Sequence, residues 1–267
     1  MAGERKFVIV EKRDRVAKII FNRPEKKNAL NEGALTEIVS VLEELRHDDS
    51  ISVVLTTGAG EEAYCAGRDL TELPKDRQRR ERHELGSLPK PHYVSEVIRT
   101  YPKVTIAVVN GYCLGSGITL LLGHDLAVAS EEKARFGLPE VMRGFLPIPI
   151  VTTIFKASIP TKLAFELILT GKNWDAKRAF EAGLINRIVG HGEIQEAAWQ
   201  WGKELAQSNR ITLQYCKMAA RAAMEAPTLP LAAEIAWLMN QEHSMVNPKA
   251  FEGMRDFLAN KGVNADK

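Results

Sequence analysis

The sequence predicts an α/β protein in which a half built of strands and helices is followed by an all-helical tail. Three observations carry this. Short apolar, β-branched runs recur at residues 7–10, 16–21, 51–55, 104–109 and 126–129. Between the second and third lies a helical stripe of Leu35, Ile38, Val39, Leu42 and Leu45, and strand–helix–strand order suggests a parallel crossover. Beyond Pro147 and Pro149 the strand signals stop, and residues 161–170, 175–182, 193–207, 211–225, 229–244 and 248–260 all carry helical patterns.

Taken in order, the first two runs are separated by Glu-Lys-Arg-Asp, a hairpin signal that Pro24 ends. Asn28 or Asn31 is placed to cap the following helix. Gly58 and Gly60 close the strand at 51–55. Residues 64–70, Tyr-Cys-Ala-Gly-Arg-Asp-Leu, read as a strand passing into a loop at Gly67. Residues 73–91 are highly charged and bounded by prolines, the pattern of a solvated segment and a place where a lid would sit. A short helix at 93–99 leads to the apolar run at 104–109. Gly171 and Gly183 are placed to terminate helices in the tail. Trp199, Trp201 and Trp237 read as packing or subunit-contact residues.

The chain is organised around residues 110–140. Glycines at 111, 115 and 117 lie between two apolar runs, where backbone must approach something closely. The run after Gly117 has three consecutive leucines and reads as a buried helix. Amides near Gly115, Ser116 and Gly117 would then point out of its N-terminus and suit an anion or a developing oxyanion. Glu140, after a Gly-Leu-Pro turn, brings a carboxylate toward the same place. Ser116 is not in a Gly-x-Ser-x-Gly elbow, and no His or Asp is tied to it by a motif, so its backbone amide rather than its hydroxyl is the expected participant. His124 reads as a satisfied core or interface histidine, Asp125 as a structural anchor at a strand entry, and Asp69 as a cap beside the loop at Gly67.

The 267 residues, 45% hydrophobic, suffice for a full core, one large domain with a small appendage. A net charge of +2 is compatible with a phosphate-bearing ligand and too weak to argue for nucleic acid. The charged run at 75–82 alternates with acids and lacks aromatics for base stacking. Cys65, Cys113 and Cys216 form no CxxC pair, which argues against a disulfide framework or a zinc site and for a reducing compartment. Without a signal-peptide pattern or a membrane-length apolar run, a cytoplasmic protein is the expectation.

Several ordered motifs together resemble the enoyl-CoA hydratase/isomerase family, the crotonase superfamily. They are FNRPEKKNAL at 21–30, AYCAGRDL at 63–70, AVVNGYCLGSG at 107–117, FGLPE at 136–140 and LTGKNWDAKRAFEAGLINRIV at 169–189. The resemblance implies a crotonase-like spiral of ββα units in a core domain over 1–200. It also implies a C-terminal helical region over 201–267 that assembles homotrimers, often paired into hexamers. No separate cofactor or metal is implied, since coenzyme A arrives as part of an acyl-CoA thioester. The shared chemistry turns that thioester into an enolate held by two backbone N–H groups, here at Arg68 and Ser116.

Residue by residue, the match places Glu140 at the second of two glutamates used by hydratases and Thr119 at the first. Threonine cannot serve as a carboxylate base. The resemblance therefore favours a Δ3,Δ2-enoyl-CoA isomerase, for which one carboxylate suffices. A hydratase, hydrolase or decarboxylase with a non-standard site is the alternative, and a non-catalytic RNA-binding relative the distant one. Ile148 stands where some relatives keep an aspartate. Substrate contacts are expected from Ala66, Gly67, Asp69, Leu70, Gly115 and Gly117 around the thioester. Arg23, Lys26 and Lys27 are expected near the coenzyme A nucleotide, with Lys261 and Phe257 reaching it from the tail. His92 and Tyr93 are candidates for the acyl pocket.

Overall fold

A computed structural model describes residues 5–72, 91–147, 154, 159–247 and 249–260. The chain opens with a hairpin, β1 (Val8–Arg13) and β2 (Val16–Phe21), closed by Asp14 and Arg15, both at positive φ. Helix α1 (Glu32–Arg46) follows, capped by the Asn31 side chain, which accepts from the Ala34 N–H. Asn28, the other cap candidate, is used differently, as described below.

Strands β3 (Val53–Gly58), β5 (Val104–Val109), β7 (Leu126–Ser130) and β10 (Arg187–Val189) extend β2 in parallel, so the larger sheet runs β1-β2-β3-β5-β7-β10. The period-two alternation divides its core cleanly. Val54, Ala107, Val109, Ala127 and Ala129 face α1, α2 (Pro91–Arg99) and α3 (Ser116–Gly123). Val53, Leu55, Ile106, Val108 and Val128 face α6 (Ile194–Ala206). Both faces are covered, which is why these strands read as continuous apolar runs.

Each of three long strands hands the chain to a short one in a second layer. Strand β3 leads to β4 (Ala63–Cys65), β5 to β6 (Tyr112–Leu114) and β7 to β8 (Arg135–Gly137). With β9 (Trp174–Asp175) they form the smaller sheet, β4-β6-β8-β9, in which β4, β6 and β8 are parallel. This repeated long strand, short strand and helix is the spiral that the family resemblance implies. The crossing between layers is pinned by Asn110. Its side-chain amide donates to the Gly58 and Gly60 carbonyls at 3.0 and 2.8 Å.

Strand β6 corrects the expectation of a glycine turn at 110–117, β9 and β10 correct that of no strands beyond Pro149, and β8 is a strand that the sequence does not predict after the polar turn at 130–134. With two or three residues each, they are too short to show a period of two.

Helices α4 (Thr161–Thr170) and α5 (Ala176–Glu181) precede β10. Gly171 (φ 64°) and Gly183 (φ 76°) terminate them in the left-handed conformation, as expected. After α6 come α7 (Arg210–Glu225), α8 (Leu229–Val246) and α9 (Glu252–Asn260). The division expected at residue 200 falls inside α6, whose Trp201 and Ala206 are buried against the sheet. Trp199 and Trp201 pack into this layer beneath Arg13 and Arg187, whereas Trp237 on α8 is exposed.

The tail is held to the core by charge. Asp125 accepts from the Thr105 N–H and hydroxyl in β5 and meets Lys217 and Arg221 of α7 at 2.8 and 2.9 Å. Burial pushes the Lys217 ammonium below its ordinary value while Asp125 opposes the shift. No described helix is long and apolar enough to cross a membrane.

Removing one partner of this cluster strands a buried cation. Asp125→Ala is expected to lose about 3 kcal/mol of unfolding free energy in urea titration. Asp125→Leu with Lys217→Met recovers part of that loss.

Candidate active site

Parallel pairing brings the ends of β4, β6 and β8 to one level. Cys65 pairs with Cys113, and Leu114 with Gly137. The residues that follow, 66–68, 115–116 and 138–140, therefore emerge side by side.

Glycine makes the approach possible. A Cβ on Gly67 (φ 102°) would stand 3.0 Å from the Leu114 carbonyl oxygen and 3.5 Å from the Ser116 nitrogen. A Cβ on Gly117 would collide with the Cys65 carbonyl, so the first turn of α3 rests directly on β4 backbone. Gly115 (φ 52°, ψ −118°) precedes that helix, and a Cβ there would lie 2.5 Å from Glu140 Oε1. The Glu140 carboxyl thus sits over the Gly115 Cα, beside the amide of Ser116.

Gly115 donates to the Gly137 carbonyl at 3.0 Å, and its own carbonyl accepts from the Ile118 and Thr119 amides. The helix begins with the Ser116 N–H, which has no acceptor among the described residues. On the neighbouring loop, Arg68 forms a parallel bridge with Leu30. Leu30 donates to the Gly67 carbonyl at 2.8 Å and the Asp69 N–H donates to the Leu30 carbonyl at 2.9 Å. The alternation of extended backbone turns the N–H of Arg68 away from Leu30.

Two buried side-chain oxygens here lack hydrogen-bond partners among the described residues, Thr119 Oγ1 and Glu140 Oε2. Thr119 is fully buried and its carbonyl accepts from Ser95 Oγ at 2.6 Å. Glu140 opens a 3-10 turn (Val141–Arg143), and its carbonyl accepts from the Arg143 and Phe145 amides. Burial raises the Glu140 carboxyl above its ordinary value of 4.5, outweighing its own backbone N–H and Arg143, which lower it. Two amides near a carboxylate of raised pKa can stabilise an oxyanion and move a proton at the adjacent carbon.

Other residues singled out from the sequence take different places. Arg23 turns inward. It donates to the Ala29 carbonyl at 2.6 Å and to Asp69 Oδ2 at 2.8 Å, so two of its guanidinium nitrogens are engaged within the protein. Lys26 is exposed, while Lys27 meets Glu62 at 3.3 Å and lies over the Tyr112 ring. Leu70 and Tyr93 are exposed, and Ala66 is half-buried. Asp69 accepts from the Thr71 amide and hydroxyl. Burial works to raise its carboxyl, and Thr71 with Arg23 brings it below its ordinary value.

His124 is a satisfied core histidine. Its Nδ1–H donates to the Leu120 carbonyl, and Nε2 accepts from Thr56, whose hydroxyl meets Tyr64 at 2.9 Å. Burial holds its pKa down to about 4, so the ring is neutral. Residues 73–90, Ile148 and Lys261, with the side chains of His92 and Phe257, lie outside the described residues. No group of three or more His, Cys, Asp or Glu among the described residues is placed to hold a metal ion.

The structural role of Asn28 was missed from the sequence. At φ 55° it donates to the Ala59 and Ala63 carbonyls at 3.0 and 2.7 Å. The available signal was that Asn tolerates the left-handed region better than other side-chain-bearing residues.

Fold and site together define a class: a two-layer spiral whose glycine-lined junction brings backbone amides close to a buried carboxyl group. A profile of the family described as enoyl-CoA hydratase/isomerase matches residues 11–264. The chain belongs to this family and is a crotonase-type acyl-CoA enzyme. It is 31% identical to hydroxycinnamoyl-CoA hydratase-lyase of Pseudomonas fluorescens, over 98% of this chain and 95% of that one. It is 34% identical to 2,3-dehydroadipyl-CoA hydratase of Escherichia coli K12, over 82% and 83%. The crystal structure of enoyl-CoA hydratase from Bacillus anthracis superposes with a TM-score of 0.87 at 28% identity, over 96% of this chain and 97% of that one.

Because folding raises the Glu140 pKa, the folded state binds its proton more tightly than the unfolded state does. The resulting stability penalty is absent below pH 4.5, grows as pH rises, and is complete above the raised folded value. Glu140→Gln is therefore expected to raise the melting temperature at pH 7. The same variant should lower kcat by about 10²–10⁴-fold.

Proposed function

We propose that this enzyme adds water across the 2,3 double bond of an acyl-CoA thioester, with Glu140 as the proton-transfer group. The observation that carries the reading is the Glu140 carboxyl over Gly115, beside the Ser116 amide, with one oxygen buried and without a partner among the described residues. In this reading the N–H groups of Arg68 and Ser116 hold the thioester oxygen. Water oxygen bonds to the β-carbon as electrons move onto the thioester oxygen. Protonated Glu140 gives its proton to the α-carbon, and the water proton returns to the carboxylate. The Thr119 hydroxyl, buried one helical turn beyond Gly115, orients the water without deprotonating it.

The names of relatives support hydration. They include hydratases named for short-chain-enoyl-CoA and 2,3-dehydroadipyl-CoA and the hydroxycinnamoyl-CoA hydratase-lyase, which share a coenzyme A thioester. A second reading, preferred from the sequence alone, is Δ3,Δ2 double-bond migration, with Glu140 moving a proton from the α- to the γ-carbon. Threonine in place of a second carboxylate at 119 favours it. The proposal extends to assembly. The exposed Trp237, Leu238 and Met245 of α8 support a homotrimer or a hexamer, measurable by light scattering.

Incubation with 2-enoyl-CoA should yield 3-hydroxyacyl-CoA, seen as loss of the conjugated-thioester absorbance and gain of one water by mass. Conversion of 3-enoyl-CoA to 2-enoyl-CoA without hydration would replace the first reading with the second. Thr119→Ala should slow hydration about fivefold to tenfold, the worth of one neutral hydrogen bond, and leave migration nearly unchanged.

A further inference from the structure

The geometry points to Arg23 and Asp69 as positioning residues that hold the backbone N–H of Arg68 where the thioester oxygen develops charge. This rests on the proposed enolate chemistry and reassigns Arg23, which the sequence offered as a phosphate contact.

The loop carrying Arg68 has a partner along its whole length. The Ala66 N–H donates to the Lys27 carbonyl at 3.0 Å, Leu30 donates to the Gly67 carbonyl, and the Asp69 N–H donates to the Leu30 carbonyl. Arg68 is thus bracketed by hydrogen bonds on both neighbours. These bonds fix the loop only as well as residues 27–30 are fixed, and Arg23 is the side chain that spans the two. One guanidinium nitrogen holds the Ala29 carbonyl on the supporting segment, and the other holds Asp69 on the supported one.

Asp69 is not free to swing. Its second oxygen accepts from the Thr71 amide at 3.1 Å and from the Thr71 hydroxyl at 2.7 Å. The Arg23 and Asp69 side chains are 12% and 10% exposed, so solvent screens the pair little. The Arg23 N–H in turn donates to Asn28 Oδ1, and Asn28 is tied to the Ala59 and Ala63 carbonyls on either side of the β3–β4 connection. The supporting segment is therefore anchored to the sheets, and the guanidinium carries that anchorage to the loop. A planar fork with several donors suits this task, while a lysine offers a single point charge. Misplacing a catalytic donor by about 1 Å costs about a hundredfold in rate.

The test compares Arg23→Met, Asp69→Asn, their double variant and Arg23→Lys on an enoyl-CoA and on the corresponding enoyl-pantetheine, which lacks the nucleotide phosphates. A positioning role lowers kcat about tenfold to a hundredfold on both thioesters, with KM little changed. The double variant should be no slower than the slower single variant, and Arg23→Lys should fall between Arg23→Met and wild type. A KM increase confined to the coenzyme A substrate would overturn the inference in favour of a phosphate contact, and so would unchanged kcat. Infrared spectra of a bound thioester carrying a 13C-labelled carbonyl give a readout that needs no turnover. Wild type should shift the carbonyl stretch to lower frequency, and Asp69→Asn should lose part of that shift. Wild type that shifts the carbonyl without hydrating or isomerising would remove the proposed reaction and leave the positioning role to be decided by the variants' spectra. Wild type with no carbonyl shift would overturn both.

Discussion

The parallel pairing of β4, β6 and β8, with its irregularity between Ala63 and Cys65, is the constraint on which the site depends. Each strand has three residues, too few for its hydrogen bonds alone to fix where it ends. Burial completes the definition: Tyr64, Cys65, Cys113 and Phe136 are fully enclosed. Because the register is fixed, three segments far apart in sequence arrive at one level. Close packing against the Cys65 carbonyl then leaves no room for a Cβ at Gly117, and the positive φ of Gly115 favours glycine there.

Buried polar groups fall into two populations. Those that hold the framework are satisfied: Tyr64, Thr56 and His124 form a chain ending on the Leu120 carbonyl, and Asp125 gathers a strand amide and two cations. Thr119 Oγ1 and Glu140 Oε2 are buried without partners among the described residues. Leaving such a group unsatisfied costs about 1–3 kcal/mol. Among the described residues this cost falls close to the first turn of α3, where the proposed function puts the reacting thioester.

Much of this was legible in the chain, and the limits have physical causes. The long strands announced themselves because both faces are buried. The glycines around Ser116 announced a close backbone approach because few other conditions require three in seven residues. The second sheet was not legible, since strands such as Arg135–Gly137 are too short to carry a pattern and exist only through their neighbours. The Arg23–Asp69 pair spans 46 positions and the His124–Thr56 bond 68, and no local signal marks such partners. Arg23 looked like an exposed cation in a polar loop. Only the folded chain shows that the loop carries it inward.

Threonine at position 119 also shapes how the site handles protons. Two carboxylates in one enclosed space repel each other's charge, so their protons leave in coupled steps that belong to the pair. Here the neighbouring position is neutral at every relevant pH, and burial is the main influence raising Glu140. Such a carboxyl retains its proton to higher pH than an exposed glutamate. What is lost is a second group to activate water independently. In the proposed hydration one carboxyl serves both reacting carbons, so the placement of the thioester oxygen is more demanding, and the bracing of the Arg68 loop takes its weight from that reading.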